Sequence, residues 1–426
     1  MKLKSILAML PSYPHHIMNV FSGTNSIKEF KDVFKALFSK EDIVCGSENE
    51  IYKEVLKKSL NLKSVYTFAS GRMGFYSILK AMKIGEGDEI IIASYTCVVV
   101  PNAIIYAGAK PIYADINRID FNVDVLKIEA LISDKTKVIY AQHTFGQMCD
   151  VKAIKKLAKK YNLLVIEDVA LSLGAKDVNE YAGSIGDFGY FSTDRTKMIN
   201  TSVGGFVCVN NQKYLEKFEK EYEKVEYLSS SFSKKLARTF LIDLVFMHPK
   251  LYWLGKFTNP VFRKLGVVKY FLDEKKHDKS LIVEYPYPAR LSSVLAKVGI
   301  SQIENLEENL AHRRKLAKYY NSIFKVYSDE YMDDCKNVFL RYSFLVKNRN
   351  YWEKRFSSKI DLSIWFKTIV VGKDDDFEDI YYKVGENKES EFVAKHIFNF
   401  PTHKNMEPKR VEKLLYELKN SGDIVF

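Results

Sequence analysis

The sequence predicts an α/β protein: a large domain with a mostly parallel sheet wrapped by helices, and a smaller domain after it. Three observations carry this. Strand-like and helix-like segments alternate from about residue 64 to residue 192, the order that builds parallel sheets with crossover helices. One of them, Leu163-Leu-Val-Ile-Glu-Asp168, is apolar up to its terminal acids, as a central strand buried on both faces should be. The chain has 426 residues, more than the roughly 250–300 at which single cores stop growing.

In order along the chain, residues 1–60 read as an irregular arm followed by amphipathic helices over 26–39 and 47–60. A short strand, Ser64 to Phe68, leads into the small-residue turn Ser70-Gly71-Arg72 and a helix over Phe75–Met82. The turn Gly85-Glu-Gly87 and the following isoleucines form the next strand, which ends at Tyr95-Thr-Cys97. Val98–Gly108 is a helix closed by glycine. Lys110–Asp115 is a strand, 123–133 a helix, and Thr136–His143 a strand. Leu163–Asp168 and the strand ending at Tyr190-Phe191-Ser192 complete the alternation. These patterns place the large domain at 61–285, with a basic and aromatic insertion at about 211–284, and a helix plus small α+β domain at 286–426.

Composition narrows the partners. A net charge of +12 favours anionic partners such as nucleotides or a membrane surface. No motif or compact basic helix points to nucleic acid. The five cysteines Cys45, Cys97, Cys149, Cys208 and Cys335 are scattered, which indicates a reducing, cytoplasmic setting and speaks against a zinc site. Cys149 and Cys335 read as buried thiols. His15, His16 and His403 lack neighbours at metal spacing and read as solvated or hydrogen-bonded. Asp374-Asp375-Asp376 reads as a loop. The apolar run before Pro11 is too short for a secretory signal, and nothing reaches the roughly 18–20 apolar residues of a bilayer span.

The chemistry gathers at the strand ends, where open α/β sheets bind ligands. Asp168 ends the central strand; Ser192 ends another, and Lys197 follows it. An acid and a lysine in one α/β crevice suggest pyridoxal phosphate (PLP), with lysine as the covalent anchor and the acid on the pyridine nitrogen. Alone, Lys197 reads better as a surface residue. Ser70-Gly71-Arg72 opens a helix, where free N–H groups and the helix dipole suit a phosphate; alone it reads as a capped turn. No Gly-x-Gly-x-x-Gly follows the first strand and no P-loop pattern occurs.

Taken together, the motifs carry a resemblance. Ser70-Gly71-Arg72, Gly85-Glu-Gly-Asp-Glu-Ile90, Tyr95-Thr-Cys97, His143-Thr-Phe-Gly146, Ile166-Glu-Asp168, Phe191-Ser192, Lys197 and Gly204-Gly205 stand in this order. So do Tyr287-Pro-Ala-Arg290, Gln302, Arg313, Ile364-Trp-Phe366 and Phe400-Pro-Thr-His403. The set resembles the DegT family of PLP-dependent sugar aminotransferases over roughly residues 60–210 and 285–420. The resemblance implies a fold-type-I PLP transferase with a seven-stranded-type sheet, usually a homodimer. It implies an amino transfer, expected from L-glutamate, to a keto-sugar, nucleotide-linked and used for bacterial surface polysaccharide. It also implies that Lys197 is the Schiff-base lysine, Asp168 the pyridine partner and Ser192 a phosphate ligand. Ser70, Gly71 and Arg72 form the phosphate turn, His143 and Gly146 lie beside the ring, and Cys97 or Tyr95 stands where an aromatic stacks.

Four departures accompany it. Leu171 replaces a glutamine, Val203 a glutamate, Cys97 the stacking aromatic, and Pro288 an asparagine that reaches the partner subunit. They leave room for a lipid-linked or non-sugar carbonyl substrate, or for a silent scaffold of the same fold. The stretch Lys234–Leu281 holds eleven Lys or Arg against four Asp or Glu, and within it Leu236–Gly255 reads as helix, proline break, helix. It either packs over the active site or dimer interface, or touches a membrane surface or captures a lipid-linked or bulky anionic substrate.

Overall fold

The computed structural model describes residues 16–21, 23–39, 42–270, 287–373 and 377–425. His15, Asp374-Asp375-Asp376 and residues 271–286, which include the end of the insertion, lie outside them. The chain opens with helices α1 (Ile27–Phe38) and α2 (Ser47–Leu60). Ser26 and Glu29 start α1 as a reciprocal capping box, which satisfies two of the helix's orphan N–H groups. Then follow β1 (Tyr66–Phe68), α3 (Gly71–Ala81), β2 (Glu89–Ala93), α4 (Val99–Ala107), β3 (Lys110–Ala114) and β4 (Thr136–Gln142). Next come α5 (Val151–Lys160), β5 (Leu164–Asp168), β6 (Phe188–Ser192) and β7 (Gly205–Val209). These seven strands form one sheet in the order β1-β7-β6-β5-β4-β2-β3. All neighbouring pairs are parallel except those made by β7, which runs against both β1 and β6.

The central strands are buried on both faces because helices cover both. Ile90, Ile91, Ile92, Val138, Ile139, Val165 and Ile166 are at most 1% exposed. Each such side chain contributes about 1.5–3 kcal/mol on leaving water. Gly108 ends α4 in the left-handed region at φ +93°, as its position at a helix C-terminus requires.

Two expected helices differ in extent. The helix expected from Phe75 begins four residues earlier, at Gly71, so the phosphate-like turn is itself the first helical turn. The helix expected over 123–133 is helical only from Val125 to Ile128 and tightens into a 3₁₀ turn to Leu131. The Ser133 amide then donates to Thr136 Oγ1 at 2.9 Å, which turns the chain into β4. Cys149 is buried, whereas Cys335 is exposed; it stands in a turn rather than a core strand.

The insertion contributes α6 (Leu215–Tyr222), α7 (Ser230–Phe246) and α8 (Tyr252–Lys264), with the break at His248-Pro249. Helices α9 (Ser293–Glu304) and α10 (Leu306–Phe324) lead into the small sheet. There β8 (Arg341–Val346) pairs antiparallel with β9 (Ile397–Pro401) and β10 (Ile424–Val425). A two-residue parallel ladder pairs Val370 with Thr96 and Val371 with Cys97. The small-sheet region is thereby stitched to the strand ends where Asp168 and Ser192 lie. Among the described residues no helix is long and apolar enough to cross a membrane.

Candidate active site

The alternation of β5 sends its two acids to opposite faces of the sheet. Glu167 turns to the fully buried side and is satisfied there completely. Its Oε1 accepts from the Ile185 and Gly186 amides at 2.7 and 2.6 Å, and its Oε2 from the Gly183 amide at 2.9 Å. His143 adds the last bond: its Nδ1 accepts from the Cys149 amide at 3.1 Å, so Nε2 carries the proton and donates to Glu167 Oε2 at 3.1 Å. His143 is wholly buried in this role and does not reach the Asp168 face. The expectation that it lies beside a ring is corrected accordingly, because its side chain is consumed in hydrogen-bonding a buried carboxylate.

Asp168 faces the other way, toward α3. Strand register places it beside Tyr190 on β6 and beside Gln142 on β4, two residues beyond Tyr140. Three adjacent strands thus each contribute one polar side chain to one face. The Tyr140 hydroxyl donates to Asp168 Oδ2 at 2.5 Å and also meets the Tyr190 hydroxyl, while the Ala170 amide donates to Oδ1 at 2.8 Å. Burial, reinforced by the Asp168 charge, pushes both phenols far above their ordinary pKa. They therefore stay protonated and act as donors. Phe75 from α3 packs on both rings, with centroids at 5.1 and 5.4 Å.

The N-terminus of α3 abuts the end of β6. A Cβ built on Gly71 would lie 2.9 Å from the Phe191 carbonyl and 3.1 Å from Ser192 Cβ, so glycine is required for this close approach. Ser70, at the helix N-cap, makes no side-chain cap bond. Its Oγ is buried without a protein partner. Arg72 follows it, half-buried.

Lys197 lies on the loop between β6 and β7. Thr193 and Thr201 pin the base of that loop through their hydroxyls at 2.6 Å. Asn309 of α10 donates to the Met198 carbonyl at 2.6 Å, and Arg195 pairs with Asp243 of α7 at 3.1 Å. The inserted helix α7 thus contacts the loop through this pair. Burial lowers the Lys197 pKa, against the pull of Asp194 and Asp168, and Arg341 lowers it further. Lys197 Nζ stands 4.9 Å from the centre of the Trp365 ring.

The remaining expected residues are placed as follows. Tyr95 is wholly buried, and its hydroxyl both accepts from and donates to the Phe366 backbone at 2.9 Å; it presents no free ring face. Cys97 is half-buried at the strand edge. Gly146 approaches the backbone at Phe339 and Leu340. Leu171 and Val203 are buried and apolar. His403 donates to the Asn19 carbonyl at 2.8 Å, and His16 pairs with Glu407. Among the described residues no group of three or more His, Cys, Asp or Glu could hold a metal ion. Sequence reasoning did not single out Tyr140 or Tyr190. Their signal was available: each sits on an apolar strand, at or two residues before the level of Asp168.

The profile of the DegT/DnrJ/EryC1/StrS aminotransferase family matches residues 25–419. The GDP-perosamine synthase of Caulobacter vibrioides is 31% identical over 251 residues, 59% of this chain and 55% of that protein. The GDP-perosamine synthase of Escherichia coli O157:H7 is 31% identical over 280 residues, 65% and 62% of the two chains. The chain thus spans somewhat over half the length of these relatives. Among solved structures, DesV of S. venezuelae superposes with a TM-score of 0.68 at 18% identity, over 99% of this chain and 98% of that one. The aminotransferase from Psychrobacter cryohalolentis superposes with a TM-score of 0.67 at 19% identity, over 92% and 96%. At such identities the likeness speaks for the fold, which is the fold-type-I architecture of these enzymes.

Proposed function

The chain belongs to the DegT/DnrJ/EryC1/StrS aminotransferase family, and from that premise we propose that it is a PLP-dependent aminotransferase. In this reading it transfers an amino group from L-glutamate to a keto-sugar, nucleotide-linked and destined for surface polysaccharide, as a cytoplasmic homodimer. The observation that carries the reading is the convergence of Lys197, Asp168, Ser192 and the Ser70–Gly71 turn on one edge of the sheet.

The residues present fit the cofactor on a point independent of likeness. Ser70 Oγ is buried without a partner at a helix N-terminus, where a phosphate oxygen would complete it. Ser70, Gly71 and Ser192, with Arg72, would hold the phosphate; Asp168 would hold the pyridine nitrogen, and Lys197 the aldehyde carbon. When bound, the cofactor supplies an electron sink that acidifies the substrate carbon next to nitrogen.

The rest falls to the chain. Lys197, made less basic by burial, takes and returns the proton at that carbon. Asp168 keeps the pyridine nitrogen protonated, and Tyr140 fixes the orientation of its carboxylate. The Trp365 ring faces Lys197 Nζ at 4.9 Å. The relatives named GDP-perosamine synthase support a nucleotide-linked substrate. The apolar Leu171 and Val203 leave recognition of the sugar to other groups.

An absorbance scan of PLP-reconstituted protein, followed by a half-reaction panel of keto-sugar nucleotides, tests the reading. A colourless protein that takes up no PLP defeats it. A second reading, peripheral contact of residues 234–281 with a membrane, is favoured by Val261 and Leu265, which stand 54% and 69% exposed beside Arg263 and Lys264. Flotation with anionic liposomes, wild type against an Arg263, Lys264 and Leu265 triple variant, checks it; no binding by the wild type ends it.

A further inference from the structure

Helix α1 carries an aromatic ladder that the described residues leave in water. Ile27, Phe30, Phe34 and Phe38 recur at three- and four-residue spacing, which puts them on one stripe of the helix. The Phe34 ring lies between the other two, with centroids 6.2 Å from Phe30 and 4.9 Å from Phe38. The stripe is not turned inward: Ile27, Phe34 and Phe38 are 73%, 51% and 78% exposed. The core takes another side of the helix, through the buried Val33 and Ala36, and α7 and α9 pack against α1.

The apolar surface continues onto the inserted helices. A cavity of about 360 Å³ lies between α1 and α7. Ile27 and Phe30 line it from α1, Leu244 and Val245 from α7, and Arg195 and Ser202 from the Lys197 loop. Val245 is 38% exposed, so Ile27 and Val245 stand in water at the rim of one opening. Helix α8, packed on α7, adds the exposed Val261 and the exposed Leu265 at its end. A continuous apolar surface of this kind marks an interaction site.

Charge says what covers it. Every exposed charged residue on α1, α7 and α8 is Lys or Arg, whereas their acids Glu29, Asp32 and Asp243 are buried or half-buried. On α1, helical spacing sets Lys31 and Lys35 along the edge of the phenylalanine stripe. A second copy of the chain, docked by the same face about a two-fold axis, would set these cations against each other, and like charges across an interface repel. An anionic lipid surface carries the opposite sign and attracts each Lys or Arg near it. Exposed phenylalanines flanked by lysines suit the boundary between headgroups and acyl chains.

We infer that α1, with the inserted helices α7 and α8, forms a face that docks on an anionic membrane, with Phe34 and Phe38 entering below the headgroups. The inference rests on the peripheral reading of residues 234–281 and moves the anchor to α1, outside that stretch. Because the cavity between α1 and α7 reaches Arg195 and Ser202, docking turns this side of the Lys197 loop toward the lipid. The aminotransferase reading stands independently.

Flotation of the full chain with vesicles of phosphatidylglycerol and phosphatidylcholine in equal parts, and with phosphatidylcholine alone, tests it. Wild type should float with the anionic vesicles, less so at higher salt, and not with the neutral ones. Phe34→Ser combined with Phe38→Ser should lower the partition coefficient roughly 10- to 100-fold, because two phenylalanines no longer leave water. Lys31→Gln combined with Lys35→Gln should lower it roughly 10-fold, and carries the test if the serine variant does not fold. Leu126→Ser, at an exposed site of the large domain, should leave it unchanged. Melting curves check the fold of each variant, and light scattering gives its molar mass. A wild type that binds neither vesicle overturns the inference and the peripheral reading together. Variants of α1 that bind as wild type does overturn the inference alone, leaving the anchor within 234–281. A serine variant that falls from dimer to monomer also overturns it, since α1 then packs on a second copy.

Discussion

Tyr140 donates its hydroxyl proton to Asp168 Oδ2 at 2.5 Å, across two neighbouring parallel strands. The contact is buried, and the same hydroxyl also meets Tyr190. Asp168 is therefore aimed before any ligand arrives. Tyr140→Phe should leave the fold intact and leave Oδ2 one donor short, at a cost of about 1–3 kcal/mol. The loss should appear as weaker cofactor retention, read by absorbance after dialysis. Retention equal to wild type would show that the pair is only packing.

Lys197→Ala should abolish turnover and remove the absorbance band of the protein-bound cofactor. Asp168→Asn should weaken turnover severely while the protein still melts cooperatively. Full activity in the asparagine variant would contradict the role assigned to that carboxylate.

Gly71→Ala places a methyl group 2.9 Å from the Phe191 carbonyl, a backbone atom that cannot swing aside. The start of α3 should shift away from Ser192, with a stability loss of about 1–3 kcal/mol and a loss of cofactor affinity. Denaturant melts and PLP titration measure the two separately. An alanine variant with wild-type affinity would show that the turn does not contact the phosphate.

Asp243→Ala removes the closer of two acids on Arg195, whose side chain is only 15% exposed, and leaves Asp194 at 4.0 Å. Losing that charge-assisted bond should cost about 1–3 kcal/mol and loosen the Lys197 loop. A denaturant melt checks the first effect. The pH dependence of cofactor absorbance, displaced relative to wild type, checks the second.

Asp361 ties α8 to the small-sheet region through Lys256 at 3.0 Å. Burial raises its pKa, but Lys256, Tyr252 and Ser363 outweigh burial and hold it below the ordinary value of 3.8. A depressed carboxyl pKa stabilises above the unfolded value, and that stability is lost as pH falls through the folded one. Wild type should therefore lose stability below about pH 4 more steeply than Lys256→Ala, with a difference near neutral pH of roughly 0.2–1 kcal/mol. Parallel acid-side slopes in the two melting series would refute the assignment.

The strand–helix alternation and the strand ends at Asp168 and Ser192 were legible in the sequence because each depends on local pattern. An apolar run ending in an acid is a buried strand end whatever packs on it, and a small-residue turn before a helical pattern leaves free amides wherever it sits. The helix–proline–helix reading of 236–253 likewise needed only periodicity and Pro249. What failed to show depends on register and on neighbours far along the chain. His143 was expected beside the ring because the family resemblance implied it. Only the pleat reveals that it serves Glu167, one residue from Asp168 but on the opposite face. Cys335 was expected inside, and its surroundings leave it outside.

The sequence by itself therefore determined the layered α/β class and the strand ends at which Asp168 and Ser192 stand. Tertiary structure decided what each of those groups feels. Tyr140 and Tyr190 reach Asp168 through strand register, Asp243 reaches Arg195 through an inserted helix, and Arg341 reaches the neighbourhood of Lys197 through a strand 144 residues further on. Periodicity reports which way a side chain points from its own backbone. It carries no information about which distant backbone waits there, and burial, charge and hydrogen bonding are set by that meeting.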